Sequence, residues 1–550
     1  MHTHLKTAAV LCAAALSIAP ASAQIGRRFP SEKKEVVDPV TGTVLTFLTS
    51  GSYGDSKIYQ THPDWTSDGQ WVIFRSGRVP GQAFAVNEAT GDIVQVTDKG
   101  YTGMLCVARH SMKLYFMRNM GAPGRRGGGT PEAGAVAEAP PPPPEGGGQG
   151  GPPGPPPGER GRRGGFRGPR GPFAIVEVDL AKVLADSAAG TMGPADNYER
   201  ICGMMPDGMG GSGNMGLDAN EDYVYFSYFG ADVGKGVDPN NPIYSQYIEP
   251  GTTHAKPFGP RGMGGGPAGL ASMNLQTGEV KSIVAVPFQI GHVQTNPWMP
   301  GEIIFCWETG GKAPQRTWTV MANGTGLRPL YPEAPYEWIT HEASITKDEV
   351  AIAILYTHTP GGGGGRGGRG RRGGQMAQPG QPGEQGQMAQ PAQPGQMAQP
   401  GQMAQPGQPP QPPPGWGIAG DDSHPTGVGI VNLRTKEMRI VGQVPLGDPG
   451  RSIWHVNGSA DGRWAAADDF RYRLWIIDRH TGEMALLASM GEKTTAADHI
   501  HPTFNADGTK IEIQSAMISP NGHSLNICVV PLPKAWLDRT YDQKNRLLAQ

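Results

Sequence analysis

Apolar and polar positions alternate along most of this chain in short runs. Trp71-Val-Ile-Phe, Lys113–Met117, Tyr223-Val-Tyr-Phe, Ile303–Cys306, Val350-Ala-Ile-Ala-Ile and Lys510–Ile513 are rich in β-branched and aromatic residues and read as strands. Hairpin turns precede them: Asp68-Gly69, Asp461-Gly462 and Asp507-Gly508, with Pro300-Gly301 and Lys347-Asp348 at the matching place in two others. A second kind of turn leads into the last strand of a unit, at Thr90-Gly91, Thr277-Gly278 and Thr481-Gly482, with Arg434-Thr-Lys-Glu as a fourth version. No segment carries a helical period. The pattern recurs seven times, in units that hold His62, Tyr101, Asp222, His292, His341, Ile453 and His499. Radial repetition of four-stranded sheets buries the apolar faces of such units against one another, so the pattern predicts an all-β, seven-bladed β-propeller. A strand at Val44–Leu48 is placed to complete the last blade and tie the ring shut.

Composition adds two long interruptions. Much of the excess of 83 Gly and 53 Pro lies in Gly121–Pro172 and Gly361–Gly415, the second of which repeats Met-Ala-Gln-Pro-Gly-Gln. Neither carries enough apolar surface to fold alone, and both fall between strands of one unit, so both are expected to leave the core as disordered loops. Without them each unit has about sixty residues, above the ~40–50 of a typical blade. Residues 1–23 have the form of a signal peptide: Lys6, the apolar run Thr7–Ile18, then Ala21-Ser22-Ala23. That run is too short to span a bilayer. The remainder, 24–550, reads as a single exported propeller domain, periplasmic or secreted. A formal charge of −2 provides no general field for nucleic acid or membrane. Cys106, Cys202, Cys306 and Cys528 have no paired spacing and read as buried free thiols. Nothing in the sequence sets the oligomeric state.

The candidate chemistry is histidine. His62, His455 and His501 each stand six residues before the Asp of a turn, and His292 and His341 precede strands in a similar way. If the strand that bears the histidine is innermost in its blade, His62, His292, His341, His455, His499 and His501 converge on the axial channel. His62, in His-Pro-Asp-Trp, has turn and packing chemistry as its own explanation and is left out of the site. On a strand, His499 and His501 leave from one face. With His341 they form the best metal candidate, three imidazoles suited to Mn, Fe, Co, Ni or Zn. Asp498 and Glu342 are adjacent carboxylates, placed either to support the metal or to face water.

Longer blocks carry a family resemblance. Gly291-His292-x-Gln294-x-Asn-Pro, Phe305-Cys306-x-Glu308, Arg316-x-Trp318, Asn323-Gly324-x-x-x-Arg328, Thr340-His341-Glu342 and His499-x-His501-Pro-Thr-Phe resemble consecutive blocks of the oligogalacturonate lyases. The Asp38-Pro-x-Thr-Gly start and the His62-Pro-x-Trp blade fit as well. That resemblance implies metal-assisted β-elimination on short oligouronides, the ion most often Mn2+. It implies His341, His499 and His501 as ligands, and His292 and His455 as catalytic residues in the cleft. Arg316 and Gln294 are expected to bind substrate, Arg316 through bidentate pairing with a uronate carboxylate or, alternatively, in a salt bridge between blades. The family's fourth ligand, a glutamine, falls on Ala496, and its arginine base has no clear counterpart; Arg261 is merely near. The other reading is a non-catalytic TolB-like propeller that binds a protein partner.

Overall fold

The computed structural model describes residues 24–121, 171–257, 263–334, 337–356, 426–444, 453–492 and 495–542. The leader 1–23, Arg261 and the bodies of both interruptions lie outside them. Seven antiparallel sheets are arranged as the blades of a propeller, and the first strands of blades two to seven pack on one another in succession around the axis. Those inner strands are Thr102–Val107, Gly210–Leu217, Ile290–Thr295, Glu337–Thr346, Ile453–Gly458 and Thr503–Phe504, with Ser56–Lys57 in blade one.

The ring closes as the sequence predicts. Val44–Phe47 pairs with Asn526–Pro531, matching Thr46 to Val529 and Phe47 to Cys528, and the Leu48 amide donates to the Ile527 carbonyl at 2.8 Å. Leu45, Phe47 and Leu48 are fully buried there. The Asp38 carboxylate secures the approach by accepting from the Ser489 amide, the Ser489 hydroxyl and the Met490 amide. A short strand, Arg28–Phe29, also adds to the outer edge of blade one.

Both interruptions join neighbouring strands of one sheet. Asn119 is opposite Phe173 across the first, and Ile354 is opposite Gly427 across the second. Cys106, Cys202, Cys306 and Cys528 are free and buried. One expectation fails: residues Leu180–Ala189 form an α-helix. Asp179 caps it by accepting from the Lys182 amide, Gly190 ends it in the left-handed region, and Leu180, Val183, Leu184 and Ser187 face inward. The helical spacing is present, but it occupies under three turns directly after a strand.

The repeated turns prove chemically identical. Asp68, Asp461 and Asp507 each accept from the backbone amide two residues on, at 3.0 Å. At the second kind of turn, Asn87, Asn274, Asn432 and Asp478 each accept from the amides two and three residues on. Gly91, Gly278 and Gly482 then take φ of 75°, 74° and 75°, while in blade five the same place is held by Lys436 at φ 65°. A side chain there strains the backbone without adding packing, because Lys436 is exposed.

Lys436→Gly is therefore expected to raise stability by about 1 kcal/mol, read as a higher denaturant midpoint at unchanged slope. Replacing 122–170 or 357–425 by a short turn should leave the melting temperature unchanged or raise it, since each halving of a loop contributes ~0.6 kcal/mol. Loss of soluble protein would show that the excised residues belong to the core.

Candidate active site

Gly291 and the residues after it show how the channel wall is shaped. A Cβ at Gly291 would meet the Glu308 side chain at 2.8 Å, so only glycine lets that carboxylate approach the inner strand. The ladder then slips between Gly291 and Gln294, and again between Thr340 and Ala343 and between Ile453 and Val456. These are β-bulges, and each holds a histidine: His292, His341 and His455. His292 at φ 46°, His341 at φ 53° and, ahead of the last inner strand, His501 at φ 49° adopt the left-handed conformation. Non-glycine residues seldom do so, and here the strain turns imidazoles of three blades toward one point, where His455 of a fourth joins them.

That point is a cavity of about 140 Å3 lined by Tyr59, His292, Glu308, Arg316, Trp338, His341, Trp454, His455, Asp498 and His501, among others. Tyr59, contributed by blade one and almost wholly buried, sits in its midst. Its hydroxyl bonds His341 Nδ1 at 2.6 Å, and its ring lies 4.9 Å from that of His292 and 5.2 Å from that of His501. His455 stacks on His501 with ring centroids 3.7 Å apart and meets His341 edge-on at 4.2 Å. Asp468 lies beneath them. It accepts from the His455 backbone amide at 2.6 Å, bonds His455 Nδ1 at 2.9 Å and stands 3.6 Å from His499 Nδ1. His501 Nδ1 is 2.9 Å from Gln60 Oε1, and its Nε2 is 3.1 Å from Asp498.

On the blade-four side, His292 lies between two buried carboxylates, 3.6 Å from Glu308 and 3.4 Å from Glu342. Arg316 lies 3.6 Å from Glu308 within its own blade. Gln294 is fully buried and does not line the cavity. Its amide cross-links two inner strands, donating to the Glu342 carbonyl and accepting from the Ser344 amide, both at 2.9 Å. His499 is set behind the cavity wall, stacked 4.4 Å from Tyr472. His62 lies apart from the cavity and bonds the Met215 carbonyl at 2.9 Å.

Burial sets the charges. It pushes His455 down to about 3 and, with His455 and His292 adjacent, His341 well below the ordinary histidine range, so both are neutral near pH 7. Burial alone would raise the Asp468 carboxyl, but His455 and His499 hold it well below the carboxylate range. Arg316 stays protonated despite burial because Cys306, Glu308 and Glu342 surround it. Tyr59 is pushed well above the phenol range, first by burial and then by Glu342, and remains a phenol.

The donor set fits a divalent cation. His341 Nε2 is buried and has no hydrogen bond among the described residues, while its Nδ1 is held by Tyr59. A histidine so oriented through one nitrogen offers the other to a metal. Two overlapping sets share His499. One is the expected His341, His499 and His501, whose ligand atoms the structure does not bring within 4.8 Å of one another; the other is His455, Asp468 and His499, whose ligand atoms do lie within that distance, as do those of His292, Cys306 and Glu308 on the blade-four side. Asp468, Tyr59 and Gln60 escape a reading of the sequence. For Asp468 a signal existed: it and Asp469 end an otherwise apolar run, Trp464-Ala-Ala-Ala, in which a buried charge needs a partner.

No protein family and no curated protein matches the sequence. Among solved structures, the chain is similar to an oligogalacturonate lyase in complex with manganese, at 13% identity and a TM-score of 0.56. It is equally similar to an oligogalacturonate lyase from Vibrio parahaemolyticus, at 13% identity and 0.55. Each match covers 94% of this chain and all of the other. The shared feature at that identity is the propeller fold. A putative TolB from Agrobacterium tumefaciens aligns over 61% of this chain and 87% of its own length at 11% identity, with a TM-score of 0.28, too low to carry an argument.

The buried histidines make the fold acid-labile. His62 is pushed down to about 4, chiefly by burial. The unfolded chain takes up a proton at an ordinary histidine value near 6.5 whereas the folded chain resists until about 4, so unfolding binds protons in that window. Stability is full above about pH 6.5 and falls as the pH drops toward 4, His62 alone accounting for about 2 kcal/mol by pH 5. Urea midpoints at about pH 7.5 and 5 should show the loss, and His62→Gln should reduce it.

Proposed function

We propose that this chain is a lyase that cleaves short oligouronides, oligogalacturonides foremost, by β-elimination assisted by a divalent ion, Mn2+ in the first instance. The observation that carries the reading is the cavity itself: imidazoles from four blades, two neutral by burial, beside Asp468 and a protonated Arg316. The propeller shared with oligogalacturonate lyases supports it. Residues 1–23 support export as a signal peptide, and among the described residues no helix is long and apolar enough to cross a membrane.

The proton on the carbon next to a uronate carboxylate is barely acidic. A cation held by His341, His499 and His501 would stabilise the negative charge that develops on that carboxylate as the proton leaves. Asp468 and Asp498, each within 3.6 Å of one of these histidines, stand in for the oxygen donor that Ala496 lacks. His455 is the base in this scheme. With its Nδ1 fixed on Asp468, its Nε2 offers a lone pair and takes the proton; the imidazolium, which burial disfavours, then has the negative charge of the bound uronate beside that of Asp468. The electron pair left on carbon becomes the new carbon–carbon double bond as the glycosidic carbon–oxygen bond breaks. His292, between Glu308 and Glu342, gives a proton to the departing oxygen. Arg316 faces a second uronate carboxylate, and Gln294 acts by holding the strand of Glu342 in register.

Incubating Mn-loaded protein with digalacturonate or trigalacturonate should give the ultraviolet absorbance of an unsaturated uronate. His455→Ala should slow that rise by about 10²–10⁴-fold. Metal analysis separates the two donor sets: His341→Ala should lose the ion by the assignment above. Retention in His341→Ala together with loss in Asp468→Ala would place the ion on His455, Asp468 and His499. Absence of any rise from folded, metal-loaded protein across several uronates would refute the lyase.

A further inference from the structure

The histidine cavity opens beside an aromatic surface that none of the chemistry above uses. Trp338 and Trp454 form its inner part, in the cavity wall, with ring centroids 5.7 Å apart and planes nearly perpendicular. Phe470 continues it outward 5.0 Å from Trp454, and Tyr472 lies beyond, stacked on His499. Phe470 is 36% exposed, among the few large apolar side chains presented to solvent. Its position is built rather than incidental. It sits at the tip of the hairpin between Trp464–Asp469 and Leu474–Asp478, and Asp469 locks that tip. The Asp469 carboxylate accepts from the Arg471 and Arg473 amides, from Arg473 Nε at 2.7 Å and from Trp475 Nε1 at 2.8 Å. Tyr472 takes φ 63° within the same turn, a second strained residue held in place.

Trp338 and Trp454 belong to the wall that the histidines line, and Phe470 lies 5.0 Å from Trp454, so a ligand ring that extends past the histidines on this side meets Trp454 and Phe470. A pyranose has polar edges but a face of C–H bonds, which packs on the negative face of an aromatic ring. Trp338 Nε1 adds a polar element: it is buried with no hydrogen-bond partner among the described residues, a donor left for an acceptor such as a sugar hydroxyl.

We propose that Trp338, Trp454 and Phe470 form a stacking subsite for the sugar ring adjoining the one held in the histidine cavity. The site then selects ligands of at least two rings over monosaccharides. This proposal rests on the oligouronide reading for the ligand's chemistry, but it concerns binding, not elimination.

Calorimetric titration of the full chain loaded with Mn and carrying His455→Ala, so that the dimer is not consumed, tests it with galacturonate and digalacturonate as probes. Digalacturonate is expected to bind at least tenfold more tightly than the monosaccharide. Phe470→Ala should weaken digalacturonate binding about five- to tenfold while changing monosaccharide binding less than twofold, and Phe470→Tyr should restore the dimer's affinity. Trp454→Ala should weaken it further, and tryptophan fluorescence should respond to the dimer in the parent protein. Equal affinity for the two sugars, no binding of either, or digalacturonate binding indifferent to both alanine variants would overturn the subsite. A change of oligomeric state in Phe470→Ala would also overturn it, assigning the tip to a contact between copies of the chain. The two readings fail separately. Elimination without dependence of binding on Phe470 or Trp454 sinks the subsite alone; binding that depends on them without elimination sinks the lyase alone.

Discussion

The site depends on closure of the ring between blade seven and blade one. Pairing of Val44–Phe47 with Asn526–Pro531 brings the chain's beginning against its end, and the link continues inward to the histidines. Lys57 of blade one lies 3.0 Å from Asp64 and donates to the Thr503 hydroxyl of blade seven at 2.8 Å, all three buried. The Lys57 amide donates to Gln514, whose own amide group donates to the carbonyl of His499 at 2.7 Å. Tyr59 and Gln60 follow Lys57 directly and reach His341 and His501. An opened ring would thus take the Thr503 hydroxyl from the buried Lys57 ammonium and remove the supports of two imidazoles together. The ordering cost of the site is met by the same contacts that close the fold.

Within the ring, electrostatics and backbone strain work against each other in a useful way. Packing imidazoles at centroid distances of 3.7 and 4.2 Å in a dry cavity disfavours their protonation, so the cluster presents lone pairs near neutral pH. Asp468 is the buried carboxylate that His455 and His499 face, and Glu308 and Glu342 are those that flank His292. Left-handed histidines at bulges cost backbone energy, and the surrounding inner strands, fully buried and hydrogen-bonded, hold them there. Such an arrangement suits nitrogen ligation and proton transfer better than a purely structural role, for which ordinary strand geometry suffices.

Blade six concentrates the device. Successive side chains of its strand Trp464–Asp469 point to opposite faces, so Asp468 turns to the histidines while Asp469 turns to Arg473 and Trp475. One carboxylate orients the chemistry, and the next fixes the hairpin tip that carries Phe470. The change of a single residue in register would exchange these roles.

The sequence by itself determined the blade count, the closing strand, the repeated Asp-Gly and Asn-based turns and the convergence of His292, His341, His455 and His501, though not of His62 or His499, on one cavity. It did so because period-two alternation and turn chemistry are local, and seven repeats of them admit few closed arrangements. The helix at Leu180–Ala189 was legible only in hindsight, its spacing too brief to stand out beside a strand. What tertiary structure decided was partnership. That Tyr59 holds His341, that Asp468 lies under His455 and His499, and that Gln294 cross-links strands within the core depend on residues up to several hundred positions apart. No periodicity encodes such contacts, because they are set by how far each bulge rotates its side chain and by which blades the closed ring makes neighbours.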